Sequence, residues 1–450
     1  MKAKLLFQYY RFLGRCARKY LKRHQIFTIG INGSVGKTSC RMIIHQMLQK
    51  ALPQQRIYTS PKNFNGELGM SLSIFQIESW TPSIFTMIKV WFFCFFKALW
   101  WKKTYDTIIL EYGIDRPKEM EFLLSINKPH IGVFTAIDAV HSEQFGNPTE
   151  IAREEAKMAK HTREIAFLNS NDSYAQQLIW TLGIDELTYQ TLDSEQHADL
   201  NILNEKLEIW TSSDHLVLTS LTLQLKFQSF KLKTNLIGKP NYWYLSVALV
   251  IAQILVFKIT GKELDMQKFL KEPLIYRLQP WRCSLFAGKE ESLIVDSTYN
   301  ASPLSMRKLI DTTLQIQKAL PEKRKILLIL GDMRELGDLT EREHRLLASY
   351  VQQSTDFVVL LGTSMHNFMA DELEKIWFPS EQVQLCNSAS EVGKFVLKFL
   401  KQSDEKRILL FKGSQNTIFL EEAVKMVLKH SSDSKFLTRQ SEWWLKKKTN

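Results

Sequence analysis

Two periodicities alternate along the chain. Apolar runs of strand length stand near 26–31, 107–111, 130–135 and 164–169, and again near 292–296, 325–330, 357–361 and 407–411. Between them apolar residues recur at helical spacing, as in "CRMIIHQMLQKAL" and "GKPNYWYLSVALVIAQIL". Continuously apolar strands separated by helices predict parallel sheets covered on both faces, and two such blocks predict two doubly wound α/β domains. The stretch 186–237 alternates apolar and polar residues with period two, which predicts a small antiparallel sheet with one solvated face. The expected organisation is a basic amphipathic helix at 1–25, a central domain at 26–275 and a Rossmann-like C-terminal domain at 276–450.

Two segments fit neither block. The first, "MKAKLLFQYYRFLGRCARKYLKRH", interleaves Lys and Arg with Leu, Phe and Tyr and has no acid. It reads as a solvated helix capping the first domain or as a membrane-surface helix. Nucleic acid is the least favoured partner, because no recognition module follows. The second, residues 83–101, is nearly all apolar and dense in Trp and Phe. Lys89 and Lys97 interrupt it, so it falls short of the roughly 20 apolar residues a spanning helix needs. Flanking Trp and two lysines placed to snorkel suit an interfacial helix. A helix buried at a domain or subunit contact suits the same pattern.

Composition narrows the class. At 450 residues, 45% hydrophobic and 24% charged, the chain reads as an ordinary globular protein of two or three domains. The net charge of +12 is concentrated at the front. Five scattered cysteines, with no paired spacing, exclude a disulfide framework or zinc motif and fit a reducing compartment. The N-terminus has no uninterrupted apolar core and no small-residue cleavage site, so a cytoplasmic protein is expected.

Candidate chemistry begins at "GINGSVGKTS", residues 30–39, between the first strand and the first helix. Gly33-x-x-Gly36-Lys37-Thr38 is a shortened phosphate loop. Its amides, including those of Ser34 and Ser39, and the helix N-terminus face an anion; Lys37 neutralises charge and the Thr38 hydroxyl reaches Mg²⁺. Further polar clusters fall where strands of such sheets end, which is where their ligands bind. They are Glu111-Tyr112-Gly113, "AIDAVHSEQFG" with His141, Asp296 in "DSTYNASPLSM", "GDMRELG", and "KGS" at 412–414. Glu111 stands where a nucleotide enzyme places a Mg²⁺ ligand or a water-orienting group. Taken singly, each cluster also reads as a turn or helix cap.

In order, these clusters resemble those of the Mur ligases, ATP-dependent amide-forming enzymes of peptidoglycan synthesis, from about residue 26 to 430. "NFNGELGMSL", "LEYG" and "GKPN" belong to the same series. "DSTYNASPLSM" and "GDMRELG" favour the branch that adds D-alanyl-D-alanine to a muramoyl tripeptide. The resemblance implies ATP and Mg²⁺ as cofactors. Lys37 and the loop amides would hold the β- and γ-phosphates, Thr38 and Glu111 one Mg²⁺, and His141 a second. Lys157 would be carbamylated beside the metals. Asn241 would contact adenine, Asp296 the ribose and Arg282 the γ-phosphate. The chain departs from the usual pattern at Pro240, Tyr244, Ala159 and Gln415. It also departs at the front, where about 25 residues precede the first strand and no UDP-gripping domain is expected.

These features lead to an expected ATP-dependent ligase that joins a peptide carboxylate to an amine, with D-alanyl-D-alanine as the favoured amine. A glutamate-type or lipid-linked substrate, or a nucleotide-binding regulatory protein without ligase activity, stands as the alternative. Peripheral contact with the inner face of the membrane is expected through 1–24 and 83–101.

Overall fold

The computed structural model describes residues 2–449 except 62–63, 82, 139–141, 180, 192–197, 210–216, 226–227, 279–281, 403–404 and 415–417. His141 and Gln415 lie outside the described residues.

The first block begins with α1 (Lys2–Arg23), β1 (Phe27–Asn32), α2 (Lys37–Ala51), β2 (Ile57–Thr59), α3 (Glu67–Ile74) and α4 (Ile84–Leu99). It continues with β3 (Thr107–Glu111), α5 (Glu119–Ile126), β4 (Ile131–Phe134), α6 (Ser142–Phe145), α7 (Pro148–Lys160), β5 (Ile165–Asn169) and α8 (Ser173–Gln176). Strands β6 (Asp185–Thr191), β7 (Leu200–Ile209), β8 (Val217–Leu225) and β9 (Gln228–Thr234) then lead to α9 (Lys239–Thr260) and α10 (Met266–Phe269).

All nine strands form one sheet in the order β2-β3-β1-β4-β5-β6-β7-β8-β9. It is parallel through β7; β8 and β9 close it antiparallel. The period-two region is therefore continuous with the parallel sheet. Its β8 alternates buried and half-buried residues along its length, as one solvated face requires. The central strands are buried on both sides, and this is why their sequences are continuously apolar.

Helices α2 and α9 pack together over one face. Among the described residues α9 alone is long and apolar enough to cross a membrane, but it lies mostly inside the protein core. The other face is covered by α1, α3, α4 and α5. Helix α1 lies against α4, with Phe12 stacked on Trp91 at 4.6 Å and the Tyr9 hydroxyl donating to the Met87 carbonyl at 3.0 Å.

The second block contains β10 (Ser284–Ala287), β11 (Leu293–Ser297), α11 (Pro303–Ala319), β12 (Lys325–Gly331), α12 (Thr340–Ser354), β13 (Phe357–Leu361), β14 (Val383–Cys386) and β15 (Arg407–Lys412). Its six strands run in the order β10-β11-β15-β12-β13-β14, all parallel except β10. The sequence pattern did not reveal the short strands β2, β10 and β14.

Of the two lysines in 83–101, Lys89 is exposed, but Lys97 does not snorkel as expected. Its ammonium is buried, donates to the Phe75 carbonyl at 2.9 Å and lies 5.3 Å from the Phe93 ring centre.

Candidate active site between the two domains

Parallel pairing builds the site. Strand β1 lies between β3 and β4, and Ile31 is in register with Glu111, so the end of β3 delivers a carboxylate beside the glycine loop. Within the loop Gly36 is the N-cap of α2 at φ +88°. A Cβ there would lie 1.9 Å from the Tyr244 hydroxyl, so backbone conformation and packing both demand glycine.

At the start of α2, Lys37 Nζ donates to the Gly33 carbonyl at 2.5 Å. The Thr38 hydroxyl donates to Glu111 at 3.4 Å and accepts from Arg282 at 3.3 Å. Arg41 Nε pairs with the other Glu111 oxygen at 2.7 Å, and both side chains are almost wholly buried. Arg282 lies over the Tyr299 ring at 5.1 Å, so a residue of the link into the second domain reaches the phosphate loop. Thr38, Glu111 and Arg282 therefore converge. Ser34 N donates to the Ala136 carbonyl at 2.7 Å, and Ser34 Oγ is buried without a hydrogen-bond partner among the described residues. Ser39 follows in the first turn of α2.

A second carboxylate meets the loop from the opposite side. Glu155, on α7, is 2% exposed. It accepts from Asn32 Nδ2 at 2.9 Å and from the Gly33 amide at 3.2 Å. Lys157 is elsewhere: its Nζ is 2.7 Å from both Glu154 and Glu121, on the seam between α7 and α5. The sequence reading passed over Glu155. Its signal was the inward stripe Ile151, Ala152, Glu155, Ala156 and Ala159, whose helical spacing includes 155 and omits 157.

The second domain contributes Asp296 at the end of β11. Its Oδ1 accepts from the Thr298 amide at 3.1 Å and hydroxyl at 2.7 Å, while Oδ2 is buried without a partner among the described residues. Burial pushes this carboxyl up to about 6, against the opposing Thr298 hydrogen bonds. Burial, with nearby Arg282, brings the Lys412 ammonium down to about 8. Asn241, in the first turn of α9, donates to the Ile237 carbonyl at 2.7 Å.

Ser414 clasps three clusters. Its hydroxyl donates to the Ala301 carbonyl at 3.2 Å and accepts from Arg334 N at 3.1 Å, and its amide donates to the Asp332 carbonyl at 3.1 Å. His344 accepts from Met333 N at 3.1 Å and, as the Nδ1–H tautomer, donates to the Thr340 carbonyl at 2.7 Å. It is a neutral brace for "GDMRELG", its pKa lowered by burial. The buried Arg439–Glu421 pair was missed too: Arg439 also donates to the Thr298 carbonyl at 2.8 Å, tying the C-terminal segment to "DSTYN". Between the domains, Asp138 accepts from Leu304 N at 3.0 Å, at the capping box and Pro303 that start α11. A polar cleft opens beside this contact, lined by Glu143, Asn300, Asp332, Arg334, Glu335 and Ser364.

A phosphate loop flanked by carboxylates and met by an arginine from the link into a second α/β domain defines a nucleotide-dependent phosphoryl-transfer enzyme. The Mur ligase middle domain matches residues 31–252, and the Mur ligase glutamate ligase domain matches 281–415. The chain belongs to the Mur ligase family of ATP-dependent acid–amino-acid ligases.

A Bacillus subtilis relative, UDP-N-acetylmuramoyl-tripeptide–D-alanyl-D-alanine ligase, is 24% identical over 92% of this chain and 78% of its own length. The fold is shared with MurF of Acinetobacter baumannii (TM-score 0.69, 19% identity, 92% of this chain and 79% of that one). It is also shared with the MurF ligase of Thermotoga maritima in complex with ADP (TM-score 0.67, 20% identity, 95% and 84%).

Proposed function

We propose that this ligase couples a cell-wall peptide carboxylate to D-alanyl-D-alanine. The observation that carries the ligase chemistry is the convergence of Lys37, Thr38, Glu111 and Arg282 on one loop. The substrate carboxylate attacks the γ-phosphorus of ATP, giving an acyl phosphate and ADP. The amine then attacks the carbonyl carbon and expels phosphate, leaving an amide. Two anions must meet in the first step, and Lys37 and Arg282 offset their repulsion. Lys37→Ala abolishes ATP turnover while leaving the melting temperature of the free protein nearly unchanged; wild-type turnover in that variant overturns the reading.

Mg²⁺ fits the donor set. Among the described residues no three His, Cys, Asp or Glu side chains converge as a cage. Mg²⁺ is commonly held by one or two carboxylates together with substrate phosphates, and Thr38 and Glu111 supply that kind of partial shell. When bound, the ion neutralises charge developing on the phosphates. Asp296 Oδ2, buried and unpaired, suits a ribose hydroxyl. Asn241 stands at the start of α9 as the adenine contact.

The cleft beside "GDMRELG" suits a zwitterionic dipeptide, with Arg334 for its carboxylate and Glu143, Asp332 and Glu335 for its amine. ADP release assayed against a panel of dipeptides and glutamate-type amines tests the choice. Release with D-alanyl-D-alanine supports it; release only with a glutamate-type amine rejects it.

The same reading places the enzyme in the cytoplasm, docked on an anionic bilayer. Ile84, Phe85, Ile88, Phe92 and Phe96 form an exposed stripe on α4, continued by Trp100 and Trp101. Beside it α1 exposes Arg11, Arg15, Arg18, Lys19, Lys22 and Arg23. Apolar aromatic surface next to a cationic row is complementary to acyl chains beneath anionic headgroups. Sedimentation with phosphatidylglycerol vesicles at low salt brings the protein into the pellet. A protein that stays in the supernatant and elutes as a dimer instead assigns the stripe to a subunit contact.

A further inference from the structure

We propose that Glu155 is a built-in carboxylate ligand for the divalent cation that accompanies the nucleotide, and that Lys157 is not carbamylated. This rests on the nucleotide-binding reading above.

Helix geometry separates the two residues. Residues 155 and 157 of α7 are two apart, about 200° around the axis, so they cannot serve the same side. The structure assigns the sides. Glu155 faces the phosphate loop, with Oε2 on Asn32 Nδ2 at 2.9 Å and on the Gly33 amide at 3.2 Å. Lys157 faces α5, its ammonium 2.7 Å from both Glu121 and Glu154. Carbamylation of Lys157 would replace that cation by an anion between two carboxylates and far around the helix from the loop.

Burying a carboxylate costs several kcal/mol unless its partners repay it. Glu155 nevertheless sits 2% exposed against a loop whose amides suit phosphate. A triphosphate arriving there meets an anion already in place, and only a cation between the two lets them coexist. The other end of the same Asn32 carboxamide supports a ligand at this spot. Asn32 is fully buried, yet among the described residues its Oδ1 has no hydrogen-bond partner. An oxygen acceptor beside a carboxylate is the donor chemistry that hard divalent cations take. Glu155 thus comes from the β4 side of the loop and Glu111 from the β3 side, one carboxylate flanking each side of β1.

The test is Mn²⁺ titration of the ADP-loaded protein, followed by electron paramagnetic resonance, with ADP binding measured separately. Wild type and Lys157→Ala bind Mn²⁺ alike. Glu155→Gln binds it roughly ten- to hundredfold more weakly while still binding ADP. Glu155→Asp, which keeps the charge on a shorter stem, gives an intermediate loss and serves if the Gln variant fails to fold. Carbon-13 spectra in labelled bicarbonate show no lysine carbamate. A carbamate resonance that disappears in Lys157→Ala, or wild-type Mn²⁺ affinity in both Glu155 variants, overturns the proposal. Failure of wild type to bind ADP would instead overturn the nucleotide-binding reading on which it rests.

Discussion

At the scale of single residues, burial decides what each polar group is for. Asp296 is ionised at neutral pH at a cost, because burial lifts its carboxyl to about 6 from an ordinary 3.8. Between those values the unfolded chain holds fewer protons than the folded one, so ionisation erodes stability as pH rises from about 4 to about 6, and the loss persists above that. Asp296→Asn keeps an acceptor for Thr298 and removes the charge. It is therefore more stable than wild type at pH 7.5 by roughly 3 kcal/mol, the equivalent of about two pKa units. The gap closes below about pH 4. Denaturant melts at both pH values check the sign, and a weaker nucleotide affinity in the same variant checks the ribose contact.

At the scale of elements, one face of a helix is often explained by packing while the other is not. Helix α4 buries Val90, Cys94, Lys97 and Ala98 against its neighbours, which accounts for its inward side. Among the described residues the outward stripe from Ile84 to Phe96 has no such partner, and an apolar patch of this kind marks an interaction surface. Phe85→Ser combined with Phe92→Ser lowers vesicle binding at every salt concentration, because it removes buried apolar area. Reversing the exposed charges of α1 lowers it chiefly at low salt, since only the electrostatic part is screened. Equal salt dependence in the two variants would contradict this division. Both leave ATP turnover without vesicles unchanged, since neither helix touches the phosphate loop.

At the scale of the whole molecule, the site exists only when two domains meet. Thr38 on α2 and Glu111 on β3 belong to the first domain, Asp296 on β11 and Lys412 on β15 to the second, and Arg282 lies on the segment between. Ligand that bridges both halves stabilises the native state by mass action, about 2.7 kcal/mol at a hundredfold excess over Kd. Mg²⁺ and ATP together therefore raise the melting temperature of the wild type. Lys37→Ala shows little of this shift, and Arg282→Ala, which removes the contact from the link, shows less of it than wild type. Differential scanning fluorimetry measures both, and shifts equal to wild type in both variants would show that nucleotide binds elsewhere.

How much of this was legible in the sequence depends on how local each cause was. Strands near 27, 107, 131 and 165 were readable because a strand buried on both faces must be continuously apolar. The phosphate loop was readable because its glycine answers a backbone demand at Gly36, where φ is positive. Short strands β2, β10 and β14 carried too few residues to show a period. Glu155 and Lys157 illustrate the remaining limit. Both stand in "REEAKMAKH", and the family resemblance pointed to the lysine. The direction in which α7 docks against β1 and β4 turned the glutamate toward the loop and the lysine toward α5. Likewise the sequence determined that α4 is apolar on nearly every side, and only the packing of α1 decided which side stays exposed. Local pattern sets which elements form; the direction a side chain faces is settled by neighbours distant in sequence, and chemistry depends on that direction.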